Sequence, residues 1–293
     1  MPTLTRESPG KLNLTLRVAG KRPDGYHEIE SLVARVALAD SVTVADRDDT
    51  LRTLECDDST IPTDERNLAL LAAAKLAQAS GVSRGVRITL NKRIPAGAGM
   101  GGGSSNAATT LMLLNELWGL NWPAARLLPI AASIGSDVPL FFHAPLCVLR
   151  GRGERVEDLA FRFDAWAMLV FPPISTSSAA VYRAWDELHE RPARARLDGL
   201  YDLIRAASRN TNPPSDVVEP IMRLLYNDLE MAACRTHPEL VSIAQGVQRL
   251  ARRAVRMTGS GAVWYRLFQN EADAAKLAAA CDKSLNIQIT KLA

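Results

Sequence analysis

Residues 11–18, Lys-Leu-Asn-Leu-Thr-Leu-Arg-Val, alternate polar and apolar without a break. That period of two predicts a strand with Leu12, Leu14, Leu16 and Val18 on one face and Lys11, Asn13, Thr15 and Arg17 on the other. Similar runs predict strands over 29–36, 41–45, 86–90 and 147–150. Apolar residues at helical spacing, Leu111, Leu114 and Trp118 among them, predict helices beginning near Asn67, Ser104 and Pro123. The second half opens with a strand over 166–171 and ends with strands over 254–257, 263–268 and 285–289. Between them lie helices over 178–190 and 197–207 and a long helical region over 217–251. Strands and helices do not alternate one for one, which favours an α+β fold over a doubly wound sheet. Residues 191–196 (RPARAR) and 210–215 (NTNPPS) read as surface loops.

The breaks in this pattern carry the chemistry. Between the strand over 86–90 and the helix near Ser104 stands Pro-Ala-Gly-Ala-Gly-Met-Gly-Gly-Gly-Ser-Ser-Asn, residues 95–106. Glycine at that density lets a ligand approach the backbone, and the unpaired N–H groups of a helix N-terminus favour an anion, so the run reads as a phosphate loop rather than a linker. It is not a Walker loop, which needs Gly-Lys-Ser/Thr, and about twenty residues on, where a dinucleotide fingerprint wants an acidic residue on a second strand, residues 115–119 still read as helix or turn. Arg22-Pro23-Asp24-Gly25 is a turn that either ends a hairpin or presents Tyr26 and His27 to a ligand. Asp137, in Gly-Ser-Asp-Val-Pro, stands at the end of an apolar helix, where a cap or turn role is the common one. Met257-Thr258-Gly259-Ser260-Gly261-Ala262 is a second glycine and hydroxyl loop between two strands, a hairpin turn on pattern alone.

Composition narrows the class. The chain has 293 residues, 47% hydrophobic and 23% charged, with a formal charge of +3. The arginines are scattered, Arg252, Arg253 and Arg256 being the nearest to a cluster, so no nucleic-acid footprint is indicated. No run approaches the roughly twenty apolar residues that span a bilayer and no signal peptide opens the chain, which points to the cytoplasm and to no membrane partner. Cys56, Cys147, Cys234 and Cys281 form no close pair and read as buried free thiols, not zinc ligands.

The order of three motifs, residues 9–14, 95–106 and 257–262, resembles that of the GHMP small-molecule kinases. Within them, Lys-Leu-Asn-Leu, Arg-Pro-Asp-Gly-Tyr-His, Gly-Gly-Gly-Ser-Ser-Asn-Ala-Ala and Gly-Ser-Asp-Val-Pro look like the family that phosphorylates the 2-hydroxyl of 4-diphosphocytidyl-2-C-methyl-D-erythritol in the non-mevalonate isoprenoid pathway. The resemblance implies a two-domain GHMP kinase fold. Residues 1–160 would resemble domain 2 of ribosomal protein S5, and residues 161–293 would be ferredoxin-like.

The resemblance also assigns roles. It implies Lys11 and Asp137 as the catalytic pair and ATP with Mg²⁺ as donor. Asn67, Lys92, Pro95, Gly97, Gly99, Gly101, Gly102, Gly103, Ser104, Ser105 and Asn106 would line the ATP site, Ser104 and Ser105 being the candidates for phosphate or metal. Asn13, Tyr26, His27, Thr176, Tyr182, Gly259, Ser260 and Gly261 would meet the small-molecule acceptor, with Tyr26 and Tyr182 sandwiching its cytosine and His27 reading the base edge. The metal ligands and the oligomeric state stay unassigned. Gly10 stands where that family usually has alanine, and Val263-Trp264-Tyr265 is bulkier than the usual continuation. Two other readings are a GHMP kinase for a sugar, homoserine or mevalonate-type alcohol, and an RNA-binding protein of related fold without catalysis.

Overall fold

The computed structural model describes residues 2–160, 163–188, 198–209 and 218–293. Strands β1 (Thr3–Asn13) and β2 (Thr15–Lys21) run one after the other along β3 (His27–Arg47), separated at Leu14, whose N–H still reaches Leu32 O at 2.8 Å. The sheet is completed by β4 (Arg52–Cys56), β5 (Gly85–Asn91), β6 (Leu146–Gly151), β7 (Arg155–Asp158) and the two-residue β9 (Tyr226–Asn227), which pairs in parallel with β2. A second sheet has the order β10 (Arg256–Met257), β11 (Trp264–Phe268), β8 (Trp166–Phe171), β12 (Asn286–Lys291), all antiparallel. Two sheets with segregated helices make the fold α+β, as the element pattern predicts.

Helices α1 (Leu68–Ser80), α2 (Gly102–Leu117) and α3 (Ala124–Ile134) cover one face of the larger sheet through Leu76, Leu111, Leu114 and Leu127 against Val42, Val44 and Ile88. The other face meets the second sheet. Strand β8 serves two cores at once, with Ala167, Leu169 and Phe171 packed toward Leu12, Leu14 and Leu32. Its alternate residues Met168 and Val170 face Trp185 of α4 (Ser178–Asp186) and Leu240 of α8 (Glu239–Ala251). That is why residues 166–171 are apolar without alternation. Helices α5 (Asp198–Arg209), α6 (Val218–Leu224), α7 (Glu230–Thr236) and α9 (Glu271–Ala280) complete the second half.

Several expectations change. The strands expected over 29–36 and 41–45 are one 21-residue strand, and the helical region over 217–251 is three helices interrupted by β9. The loops expected over 191–196 and 210–215 lie outside the described residues. Of the four cysteines, all free, only Cys147 and Cys281 are buried. Gly10 has Ile94 Cδ1 and Met100 Cε at 3.1 and 3.2 Å from where a Cβ would stand, so those two side chains fill the space of the family's alanine. Among the described residues no helix is long and apolar enough to cross a membrane.

Candidate functional site

A cleft of about 830 Å³ runs between the glycine loop, the ends of the first sheet and the 258–261 turn. All the residues that the resemblance implies line it, with one exception. Ser105 is the exception: it is fully buried and accepts a 2.8 Å bond from the Ser8 hydroxyl. One step along α2 turns a side chain about 100° away, so Ser104 faces the cleft while Ser105 faces the sheet.

Lys11 reaches the cleft because β1 leaves its ladder there. Pro9 has no N–H to donate, the register shifts between Pro9 and Lys11, and the Lys11 N–H bonds Met100 O at 2.9 Å instead. The polar face of this strand is therefore not a wet face. Lys11, Asn13 and Thr15 are buried. Lys11 Nζ donates to Asn13 Oδ1 at 2.6 Å and to Gly99 O at 2.8 Å, and stands 3.8 Å from Asp137 Oδ2. Lys11 is 4% exposed and Asp137 34%, so the cation is enclosed and the carboxylate is open to a ligand. Burial pushes the Lys11 ammonium below its ordinary pKa, and the Asp137 charge works against that shift. Asp137 follows the C-terminus of α3, where Gly135 ends the helix.

The glycine loop is shaped by Gly97, Gly99 and Gly101, all with φ near +70° (68°, 71° and 70°). At Gly99 a Cβ would stand 2.3 Å from Thr258 O, so the loop packs backbone to backbone on the 258–261 turn. At Gly103 the nearest atom to a Cβ would be Leu68 Cδ1 at 3.9 Å, so that residue is bare where the cleft is open. No side chain caps the N-terminus of α2, which leaves its first-turn N–H groups to a ligand. Asn67 caps α1, its Oδ1 accepting from Ala69 N at 2.9 Å, and so presents its edge to the cleft from a fixed rotamer.

A residue that sequence reasoning missed holds this end together. Asp40, fully buried in β3, accepts from Arg93 N and Ile94 N at 2.8 and 2.9 Å, from Asn106 Nδ2 at 3.0 Å and from Lys92 Nζ. Lys92 also donates to Asn106 Oδ1 at 3.0 Å. The signal was available: a carboxylate inside an apolar run must find partners or cost several kcal/mol by rough measure.

At the other end, His27 stacks on Tyr182 with centroids 4.7 Å apart and meets Trp185 edge-on at 5.5 Å. Tyr26 is half exposed, and the Arg152 guanidinium lies 5.0 Å over its ring. Burial and then the Asp137 charge raise the Tyr182 phenol above its ordinary pKa. Thr176, also buried, has a hydroxyl without a hydrogen-bond partner among the described residues. Ser260 bonds Ser178 through the two hydroxyls at 2.7 Å. The bulky 263–265 segment is absorbed by the core, and the Tyr265 hydroxyl donates to Asn13 O at 3.0 Å.

Residues 67–144 match the model of the GHMP kinases N-terminal domain. The chain is 36% identical over 91% of its length to a 4-diphosphocytidyl-2-C-methyl-D-erythritol kinase of Shouchella clausii, of which it covers 86%. It is 34% identical over 92% of its length to the enzyme of the same name from Bacillus subtilis, of which it covers 89%. A crystal structure of 4-(cytidine 5'-diphospho)-2C-methyl-D-erythritol kinase superposes with a TM-score of 0.78 at 33% identity, over 99% of each chain. The mevalonate kinase of Methanococcus jannaschii, 12% identical with a TM-score of 0.71 over 100% of this chain and 99% of its own, shares the fold. The chain belongs to the 4-diphosphocytidyl-2-C-methyl-D-erythritol kinase family of the GHMP kinases.

Proposed function

We propose that this cleft transfers the γ-phosphoryl group of ATP to the 2-hydroxyl of 4-diphosphocytidyl-2-C-methyl-D-erythritol, with Asp137 as the base and Lys11 as its electrostatic partner. The observation that carries the reading is the position of Lys11 Nζ, bonded to the glycine loop at Gly99 O and 3.8 Å from the Asp137 carboxylate. A hydroxyl seated on Asp137 loses its proton to that carboxylate as its oxygen bonds the γ-phosphorus and the bond from that phosphorus to the bridging oxygen breaks, releasing ADP. The ammonium favours the ionised carboxylate and offsets charge that grows on the phosphoryl oxygens.

The open N-terminus of α2 and the bare Gly103 suit the phosphates, while Asn67 and Lys92 flank the adenine. The stacked His27 and Tyr182, with the half-exposed Tyr26 also lining the cleft, suit a flat base such as cytosine. Mg²⁺ fits as a passenger of the nucleotide. The cleft offers hard oxygen donors in the Ser104 hydroxyl and the Asp137 carboxylate, and such a metal needs only one or two protein ligands besides phosphate. When bound it neutralises the phosphate charge. We divide the chain near residue 160, after β7, and place the enzyme in the cytoplasm, where ATP is supplied and free thiols persist.

The test is Asp137→Asn, assayed with ATP and a panel of acceptors. Phosphoryl transfer falls by roughly 10²–10⁴-fold with ATP binding retained. Near wild-type kcat would remove the general base. Transfer to mevalonate, homoserine or galactose as fast as to the cytidyl alcohol would remove the substrate assignment.

A further inference from the structure

The base-reading end of the cleft contains an ion network, with His27 enclosed, Asp186 half-buried and Lys21 at the surface, that the reading above does not use. Asp186 lies on α4 one turn after Tyr182, so both side chains leave the same face of the helix. Its Oδ1 stands 2.7 Å from His27 Nε2, and its Oδ2 is 3.0 Å from Lys21 Nζ on β2. Lys21, His27, Tyr182 and Asp186 all line the cleft. His27 is enclosed, stacked on Tyr182 and edge-on to Trp185, which fixes its ring plane, while the Asp186 contact fixes which ring edge faces α4. No described residue is bonded to Nδ1.

We infer that Asp186 is a positioning residue that fixes the tautomer of His27 and thereby selects an amino-bearing base over a carbonyl-bearing one. This inference rests on the cytosine assignment made above. A neutral imidazole has one donor and one acceptor nitrogen. An ionised carboxylate only accepts. Bonds from His27 and Lys21 hold the Asp186 carboxyl below its ordinary pKa although burial works to raise it, so it stays ionised and the proton sits on Nε2. Nδ1 is then left with a lone pair directed to a donor. The exocyclic amino group of cytosine is such a donor, whereas uracil presents a carbonyl oxygen at the same place and would set two lone pairs against each other. Lys21 keeps the carboxylate from turning away, and it ties β2 to α4 behind the ring.

The experiment compares wild type, Asp186→Ala, Asp186→Asn, Lys21→Met and His27→Ala with ATP, the cytidyl acceptor and its uridyl analogue. ¹⁵N NMR of histidine-labelled protein reads the His27 tautomer. Wild type shows His27 protonated on Nε2. Asp186→Ala raises KM for the cytidyl acceptor by about 3- to 10-fold, the size of one lost hydrogen bond, with KM for ATP and kcat within about 2-fold. Asp186→Asn, which can donate to Nε2 through its amide, moves the proton to Nδ1 and cuts the cytidyl-over-uridyl preference by about 10-fold. Lys21→Met lowers thermal stability with a smaller change in preference. A wild-type His27 protonated on Nδ1 overturns the inference even if a variant does not fold. So does an unchanged preference in Asp186→Asn and Asp186→Ala when His27→Ala still raises the acceptor KM. If His27→Ala leaves that KM untouched, the cytosine assignment itself fails.

Discussion

Lys11 shows how one residue can oppose stability while standing beside the proposed base. Its ammonium is enclosed, held by Asn13 Oδ1 and Gly99 O, and its pKa is lowered by burial from an unfolded value near 10.5. In the unfolded chain the proton stays on until about pH 10.5, whereas the folded chain releases it earlier. Between those two values the unfolded state binds more protons, so the stability contributed at this site climbs with pH, and the full cost of the buried charge is present below the folded pKa. Lys11→Met removes the titration. The difference in melting temperature, wild type minus Lys11→Met, therefore becomes more positive from pH 7.5 to pH 10, read by calorimetry at both. The activity moves the other way. Lys11→Met loses about 10²–10³-fold in kcat, as loss of a single charge-stabilising donor does elsewhere. A pH-independent difference in melting temperature would mean that Lys11 keeps its ordinary pKa.

At the scale of elements, the glycine loop separates two kinds of glycine that the sequence writes identically. Gly99 has φ 71° and would set a Cβ 2.3 Å from Thr258 O, so Gly99→Ala strains the loop and must shift backbone. Gly103 is helical and open, its nearest neighbour at 3.9 Å, so Gly103→Ala leaves the fold intact and fills space that a phosphate needs. Gly99→Ala lowers the melting temperature. Gly103→Ala leaves it within a degree or so and raises KM for ATP more than for the acceptor; equal effects on both ligands would deny the phosphate cradle. The same scale shows what patterns convey. Strands built on alternation, such as β5, were legible, and so was the start of α1 at Asn67. Helix α9 was not, because Glu-Ala-Asp-Ala-Ala-Lys-Leu-Ala-Ala-Ala buries little beyond Ala274 and alanines give no apolar stripe despite their helix propensity. The continuity of β3 was hidden by Asp40, a charge that reads as a break until its partners Arg93, Ile94, Lys92 and Asn106 arrive from elsewhere in the chain. Lys11 and Asn13 illustrate the same limit within the site. Alternation separates two faces of a strand, but only tertiary packing decides whether the polar face meets water or a cleft.

Across the whole molecule, the two sheets share a core and are tied by hydrogen bonds beside the cleft. Asn13 N donates to Thr258 Oγ1 at 3.0 Å, Ala262 N to Gly97 O at 3.2 Å, and the Tyr265 hydroxyl to Asn13 O at 3.0 Å. The residue that holds the turn from behind is Asn227 of β9, which pairs with β2 of the larger sheet. Its Nδ2 donates to Met257 O at 2.8 Å and to Gly259 O at 2.7 Å, while its Oδ1 accepts from Leu229 N at 2.9 Å. Three backbone groups are thus satisfied by one side chain that is itself buried. Asn227→Leu keeps the approximate volume and strands all three, at about 1–3 kcal/mol for each left unsatisfied, less whatever water recovers. A drop of that size lowers the melting temperature by roughly 2–4 °C per kcal/mol in a chain of this order of length. Because the 258–261 turn borders both the glycine loop and the acceptor end, looser hold on it raises KM for ATP and for the acceptor together, unlike Gly103→Ala or the Asp186 variants, which separate the two. Saturating both ligands should then restore part of the lost melting temperature by mass action, since they bind the closed arrangement. A variant that melts lower but keeps both KM values would show that the turn is held by its contacts with Gly99 and Asn13 alone, and that the β9 tie serves stability without shaping the site.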